Sequence, residues 1–419
     1  MEPQIGVNYG CIRAEQDIEE RLCMMFHHES ESDGKPLLPK RWDSLFDNEA
    51  GSDVVFLVGT EPETWRFPGH RSILRNNPVF KAMLEGPFAA NTESKIVIQD
   101  VDGRAFDHLL RYLYHEDVQL QSVGTALMTL YAANKYLCPD LVEICVKYLD
   151  ENLTKNNVLQ IYQHVRLYST DLNAESESDL LGFPSAPPQD QVLEELQEAG
   201  TSSKDEKNDR SMSEWCSLLL WNCYHFIDLH ADEVLSEESI EDLTKDALYD
   251  IAKRDTLGIS SECILFSVVE KWCNRECKRC QLELSDENRK AILGDRLLFS
   301  VRYLLMTSED FLSGPMRSGL FEQMETALIL GFILKHPVNG VSPRITPQVV
   351  NFLKRARRRE SYAPIPLSAR TKRIVTSPVK PLVANKIVSK KEKKKKKDDE
   401  DRQSKCFSYS LSVLACIFD

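Results

Sequence analysis

SDVVFLVG (52–59), WRFPGHRSIL (65–74), RNNPVFKAML (75–84), KIVIQDVDGRAFDHLLRYLYHEDV (95–118) and ALMTLYAANKYLCPDLVEICVKYL (126–149) follow one another in this chain, and their order decides its fold. Val54–Val58 is an unbroken apolar run between Asp53 and Gly59, which predicts a strand buried on both faces. The polar turn Thr60–Thr64 leads to a second short strand around Trp65–Phe67, a hairpin pattern. From His70 to Leu84 the pattern turns helical, and Pro78 divides it into two short helices, the second with proline in its first turn. Ile96–Ile98 predicts a third strand and Val118–Leu120 a fourth. Between them Phe106, Leu109, Leu110 and Leu113 share one helical face, with Asp102 placed to cap that helix. Ala126–Tyr136 and Leu141–Leu149 predict two further helices, parted by Pro139.

Outward from this core, the 419 residues leave room for two or three domains, and 42% hydrophobic content suffices for sizeable cores. The net charge of -13 conceals a division: residues 351–419 hold 19 Lys+Arg against 7 Asp+Glu, and residues 1–350 hold 33 against 58. An acidic body repels nucleic acid, whereas a basic tail attracts anionic surfaces. The start of the chain lacks a secretory pattern, and no stretch approaches the roughly 18 apolar residues of a membrane span. The twelve cysteines follow no framework spacing, so they read as reduced thiols of a cytosolic or nuclear protein.

Residues 1–40 read as a disordered leader, and 41–49 as a short helix burying Trp42, Leu45 and Phe46. Residues 155–337 read as nearly all helix, interrupted at 170–213 by an acidic insertion with 11 Asp+Glu against 3 Lys+Arg, within which Val192–Leu196 forms a brief helix. Ser260 and Ser261 are candidate caps for the helix that carries Trp272. Residues 338–419 read as a disordered basic tail whose removal at about residue 345 is expected to leave the body's stability unchanged.

Residues 52–153 resemble a BTB/POZ domain. FPGHRSIL matches that family's F-x-x-H-x-x-x-L signature, NNPVFKAML its next helix, and IQDVDGRAFDHLLRYLYHEDV the following strand, helix and aromatic segment. RDTLGISSECILFSVVEKWCNRECKRC (254–280) is similar to the core of the BACK domain that often follows. LLFSVRYLLMTSEDFLSGPMRSGLFEQMETALIL (297–330) resembles the BTB–BACK–PHR subgroup of cullin-3 adaptors, but no run of alternating strands for the PHR sandwich follows Pro337. The resemblance implies an α+β fold: a small mixed sheet with helices, then an all-α BACK domain and the basic tail, with boundaries at 41–153, 155–337 and 338–419.

The resemblance also implies partners. BTB domains self-associate through their N-terminal edge, which here carries Trp42, Leu45, Phe46 and Phe56. In cullin-3 adaptors an apolar-x-Glu motif marks the scaffold-binding loop. By spacing it falls on Phe88-Ala89-Ala90, so the apolar anchor is kept and Ala90 stands where the acid is expected. Tyr114 takes the aromatic position at the end of the third helix, and Val158–Tyr168 supplies the groove wall. The expected function is thus a homodimeric adaptor that recruits a substrate protein, which the sequence does not name, to a cullin-3-type ubiquitin ligase. The alternative is a BTB scaffold or transcriptional co-regulator outside any ligase.

Chemistry has little sequence support. Cys273, Cys277 and Cys280 share one side of a helix, but no second CxxC pair accompanies them, so half-buried thiols are the simpler reading than zinc ligands. No P-loop, GxGxxG or HExxH is present, and His70 reads as a structural, hydrogen-bonding residue. No catalytic residue, cofactor or metal is expected. In the tail, Lys393, Lys394, Lys395, Lys396 and Lys397, with the Arg355–Arg359 cluster, read as a nuclear address, a membrane-attracted patch or a solvated run. Cys406 and Cys416 are candidate lipidation sites beside the lysines. The expected location is cytoplasmic, with the nucleus open to it.

Overall fold

The computed structural model describes residues 45–86, 95–169, 210–336, 338–358 and 362–376. Trp42, Phe88, Ala90, the brief helix at Val192–Leu196, Lys393–Lys397, Cys406 and Cys416 lie outside the described residues.

The first strand, β1 (Val54–Val58), pairs antiparallel with β2 (Trp65–Gly69) and parallel with β3 (Lys95–Ile98), giving the order β2-β1-β3. Val54, Phe56 and Val58 are buried, whereas Val55 and Leu57 on the opposite face are only half-buried. The strand expected to be buried on both faces therefore has one covered face. The helices joining β1's neighbours pack on a single side, so alternation by twos survives in the burial. Val118–Leu120, expected as a fourth strand, joins no sheet among the described residues.

Two short helices, α1 (Arg71–Leu74) and α2 (Pro78–Glu85), follow the hairpin as expected. Asn77 caps α2 by accepting from the backbone N–H groups of Val79 and Phe80, and Pro78 fills the first helical position, where no N–H is needed. Asp102 caps α3 (Gly103–Leu113) in the same way, through Arg104 and Ala105. Helices α4 (Val123–Lys135) and α5 (Pro139–Glu151) complete the first unit. Its centre is aromatic: Phe56 lies 5.6 Å from Phe80 and 5.4 Å from Phe106, and Phe80 stacks on Tyr136 at 4.8 Å.

His108 is buried on α3, its Nδ1 3.0 Å from the Thr129 hydroxyl. Burial lowers its pKa from the ordinary value of 6.5, against the pull of Asp107 and Asp102. As pH falls the unfolded chain takes up this proton first. The contribution is intact above the unfolded value and is lost as pH falls through the folded one. His108→Gln is expected to lose less stability than wild type in urea melts between about pH 7 and about pH 5; an equal loss would place the acid sensitivity in other groups.

A helical second unit follows: α6 (Val158–Val165), α7 (Met212–Leu229), α8 (Ala231–Val234), α9 (Lys245–Ala252), α10 (Glu262–Arg279), α11 (Asp286–Leu298), α12 (Ser308–Ser313) and α13 (Gln323–Leu334). Ser261, one of the two expected caps, accepts from Cys263 N–H at the start of α10. Trp272 is buried and donates from Nε1 to Leu243 O at 2.8 Å, which ties α10 to the turn before α9.

The largest departure from the sequence reading lies beyond residue 338. Helix α14 (Pro347–Lys354) is capped by Thr346 and buries Val349, Val350 and Leu353. Residues 355–358 and 362–368 then cross the body, and α15 (Ala369–Thr376) docks against α5. Apolar periodicity is weak here because arginines paired with buried acids, rather than leucines, make many of the contacts. Pattern reading for leucine-like periods misses such a segment.

Candidate interaction surfaces

Of the segment expected as a short helix, the described residues 45–49 are not helical: Phe46 lies in a turn and Leu45 in no regular element, and both pack partly buried against the core. Phe46 meets Tyr114 edge-on at 6.0 Å, and the Arg111 guanidinium sits 4.5 Å over its ring. This edge keeps exposed aromatic surface. Phe56, by contrast, has 0% exposure and is surrounded by the aromatic core. It has no surface to offer a second copy, so its expected place in a dimer interface is corrected to the monomer interior.

Tyr114 is similarly turned inward. It is 7% exposed, its hydroxyl accepts from His70 N–H at 2.9 Å, and His70 Nδ1 lies 3.0 Å away. Burial pushes the Tyr114 hydroxyl well above the ordinary tyrosine range. The sequence carried the signal, since Tyr114 continues the stripe of Phe106 and Leu110 at helical spacing. His70 plays the structural role expected of it: its ring is buried against Tyr114, with Nε2 3.3 Å from Ala50 O.

The aromatic that faces outward at this helix end is Tyr112. It is half-buried and donates to Asp140 Oδ2 at 3.4 Å, at the start of α5. Burial and the Asp140 carboxylate push its hydroxyl up to about 12. Leu137, 49% exposed, lies just before the Cys138 cap of α5, and Ile144, 38% exposed, lies one turn beyond Asp140. Tyr112, Leu137, Asp140 and Ile144 thus form an apolar ridge with one carboxylate. On α4, Lys135 and Tyr131 both bond Asp100, at 2.5 Å and 3.0 Å, and Met128 is 49% exposed.

Within the Arg355–Arg359 cluster, Arg355 and Arg357 are held by acids, whereas the Arg358 side chain is exposed and its backbone N–H donates to Asp255 O. Arg357 forks onto Glu262 at 2.6 and 3.0 Å and donates to Arg254 O at 2.6 Å. Arg355 reaches Asp255 at 3.3 Å, and Asp255 is also paired with the wholly buried Arg302. These bidentate and backbone-anchored geometries are structural arginine work.

Cys273 and Cys277 are buried and Cys280 is exposed beyond the end of α10. Cys273 Sγ donates to Arg289 O at 3.4 Å, and burial pushes this thiol up to about 12, the opposite of a thiolate ligand. No three His, Cys, Asp or Glu side chains among the described residues are grouped to hold a metal ion. No helix among them is long and apolar enough to cross a membrane.

A three-stranded mixed sheet with one buried face, followed by a helical unit, makes this an α+β protein of two parts. Residues 42–153 match the BTB/POZ domain family, and residues 211–313 match the family described as BTB And C-terminal Kelch, or BACK. The chain is therefore a BTB/POZ–BACK domain protein. It is similar to human BTB/POZ domain-containing protein 3, at 30% identity over 292 residues, covering 70% of this chain and 46% of that protein. Human BTB/POZ domain-containing protein 6 is 30% identical over 293 residues, 70% of this chain and 45% of its own length. The Xenopus laevis protein 6 is 30% identical over 295 residues, with shares of 70% and 46%. The chain spans slightly less than half the length of these curated relatives.

Proposed function

We propose that this chain is a homodimeric adaptor that docks on a cullin-3-type scaffold and brings a target protein to a ubiquitin ligase. The observation that carries this reading is the exposed ridge on a BTB domain backed by a BACK domain. Tyr112, Leu137 and Ile144 present apolar surface around Asp140. Apolar anchors encircled by charge concentrate binding energy in this way. The adaptor performs no chemistry of its own; it raises the concentration of target beside the transferring enzyme. Dimerisation would use the edge formed by Leu45 and Phe46, and a cytoplasmic location with nuclear access through Lys393–Lys397 accompanies the proposal.

The test is binding of a purified cullin-3 N-terminal domain to the full chain. Leu137→Glu combined with Ile144→Glu is expected to weaken it by a factor of about 100 or more, since two central anchors each cost about 1–2 kcal/mol. Both side chains are substantially exposed, so the variant is expected to keep its fold. No binding of the wild-type chain at micromolar concentration would favour a scaffold or co-regulator outside the ligase. Unchanged binding of the double variant would move the docking surface elsewhere.

A further inference from the structure

Where residues 362–373 cross the body, their backbone is held by side chains. Trp221 and Asn222 are neighbours on α7. Trp221 donates from Nε1 to Ala363 O at 3.3 Å. Asn222 donates from Nδ2 to Ile365 O at 2.9 Å and accepts from Ile365 N–H, through Oδ1, at 2.7 Å. Residues 362–367 belong to no helix or strand. Buried backbone groups outside helices and sheets need side-chain or water partners, and here two neighbouring side chains of one helix supply them. A helix that reads an extended chain through an indole N–H and a two-way amide does what a peptide-binding groove does.

The side chains of the segment meet a complementary surface. The Tyr362 ring stands edge-on to Trp221 at 5.0 Å and to His225 at 5.1 Å. Its hydroxyl donates to Asp228 and accepts from Arg254, both at 2.9 Å. Asp150, wholly buried at the end of α5, accepts from the Ser368 and Thr371 hydroxyls and pairs with Arg370 at 3.1 Å. Glu151 accepts from Arg370 N–H at 2.7 Å and pairs with Arg373 at 3.1 Å. A surface built from the last BTB helix and α7 of the BACK unit thus holds an uncharged extended stretch, 362–367, and through Asp150 and Glu151 the basic start of the helix that follows it.

We propose that this groove is a binding site for a peptide that is extended at its start and turns into a basic helix, and that residues 362–373 occupy it as the chain's own ligand. The site is independent of the scaffold ridge and of dimerisation. It recognises a tyrosine, a hydroxyl side chain six residues later and an arginine two residues beyond that, as Tyr362, Ser368 and Arg370 supply here. A partner segment of that chemistry enters only when the chain's own segment leaves, which makes the segment an internal competitor.

The probe is a fluorescent synthetic peptide of residues 362–376. The full chain carrying Arg370→Glu and Thr371→Val, which repel or abandon Asp150, is expected to bind it, while the wild-type chain, its groove filled, binds it at least about tenfold more weakly. Adding Asn222→Ala to the opened chain is expected to weaken binding about tenfold or more, through the loss of two backbone hydrogen bonds to Ile365 and of the bond that orients Asp150. An opened chain that keeps its circular dichroism spectrum and does not take up the peptide overturns the proposal, as does binding indifferent to Asn222→Ala. Should the opened variant not fold, a full chain with a protease site at 359–361 decides. After cutting, excess unlabelled peptide is expected to displace the C-terminal fragment from a folded body. A fragment that leaves only when the body unfolds shows it to be part of the core.

Discussion

A chain ended after residue 345 is expected to melt at least about 10 °C lower than the full chain or to aggregate, whereas one ended after residue 376 is expected to melt with it. The reason is buried charge. Glu262 is 6% exposed and loses the two-pronged Arg357 contact. Asp150 loses Arg370, Ser368 and Thr371 together and keeps Asn222 at 2.9 Å. Stripping the partner from a buried ion typically costs ~3–5 kcal/mol. The cut also bares the faces that Val349, Val350, Leu353 and Leu367 cover. Against a total stability of about 5–15 kcal/mol for a folded domain, these losses are severe. The last described contact of this segment with the body is Arg373 on Glu151, so a cut after 376 removes none of them. Calorimetry of the two truncated chains beside the intact one decides between this account and the expectation of a tail separable from 338 onward. Equal melting of all three would mean that the arginine contacts contribute nothing net.

How far the sequence announced this architecture depends on which force organises each part. The hairpin, the proline-split helices α1 and α2 and the Asp102 cap were legible because local chemistry fixes them: a proline at the first helical position and a side-chain acceptor at the N-cap act within four residues. The fold class was legible because apolar spacing and family signatures agree over residues 52–153. The crossing segment was not. Arg357 meets Glu262 across 95 residues, and Thr371 meets Asp150 across 221, so no local window contains both partners. Arg355 and Arg357, two of the basic residues that read as part of an address, are charges balanced by distant acids. The site residues divide along a related line. Tyr114 and Tyr112 are both aromatics at one helix end, and only the helical phase relative to Phe106 and Leu110 separates the buried one from the half-buried one.

That same distinction between interior and edge sets the second large effect. Phe56→Asp is expected to abolish folding of the first unit, not merely its self-association. Phe56 has no exposed surface and touches the rings of Phe80 and Phe106. Removing a buried phenylalanine costs about 3–5 kcal/mol from packing alone. A carboxylate in its place adds the penalty of an unpaired buried charge, several kcal/mol more. The sum reaches the whole stability of a typical domain. Phe46→Asp behaves differently in this picture. Its ring is only partly buried and is held by Tyr114 and by the Arg111 guanidinium, so the folded monomer survives with a loss of about 1–2 kcal/mol. If the homodimer uses this edge, Phe46→Asp should convert it to a folded monomer in sedimentation equilibrium, with its circular dichroism spectrum retained. The contrast is what makes the experiment informative. A dimer that dissociates on Phe56→Asp while keeping a native spectrum would return that residue to the interface and contradict its burial. A folded dimer that persists with Phe46→Asp would put the contact on another face, for which the half-exposed outer side of β1, with Leu57 beside Val97, is the next surface to substitute.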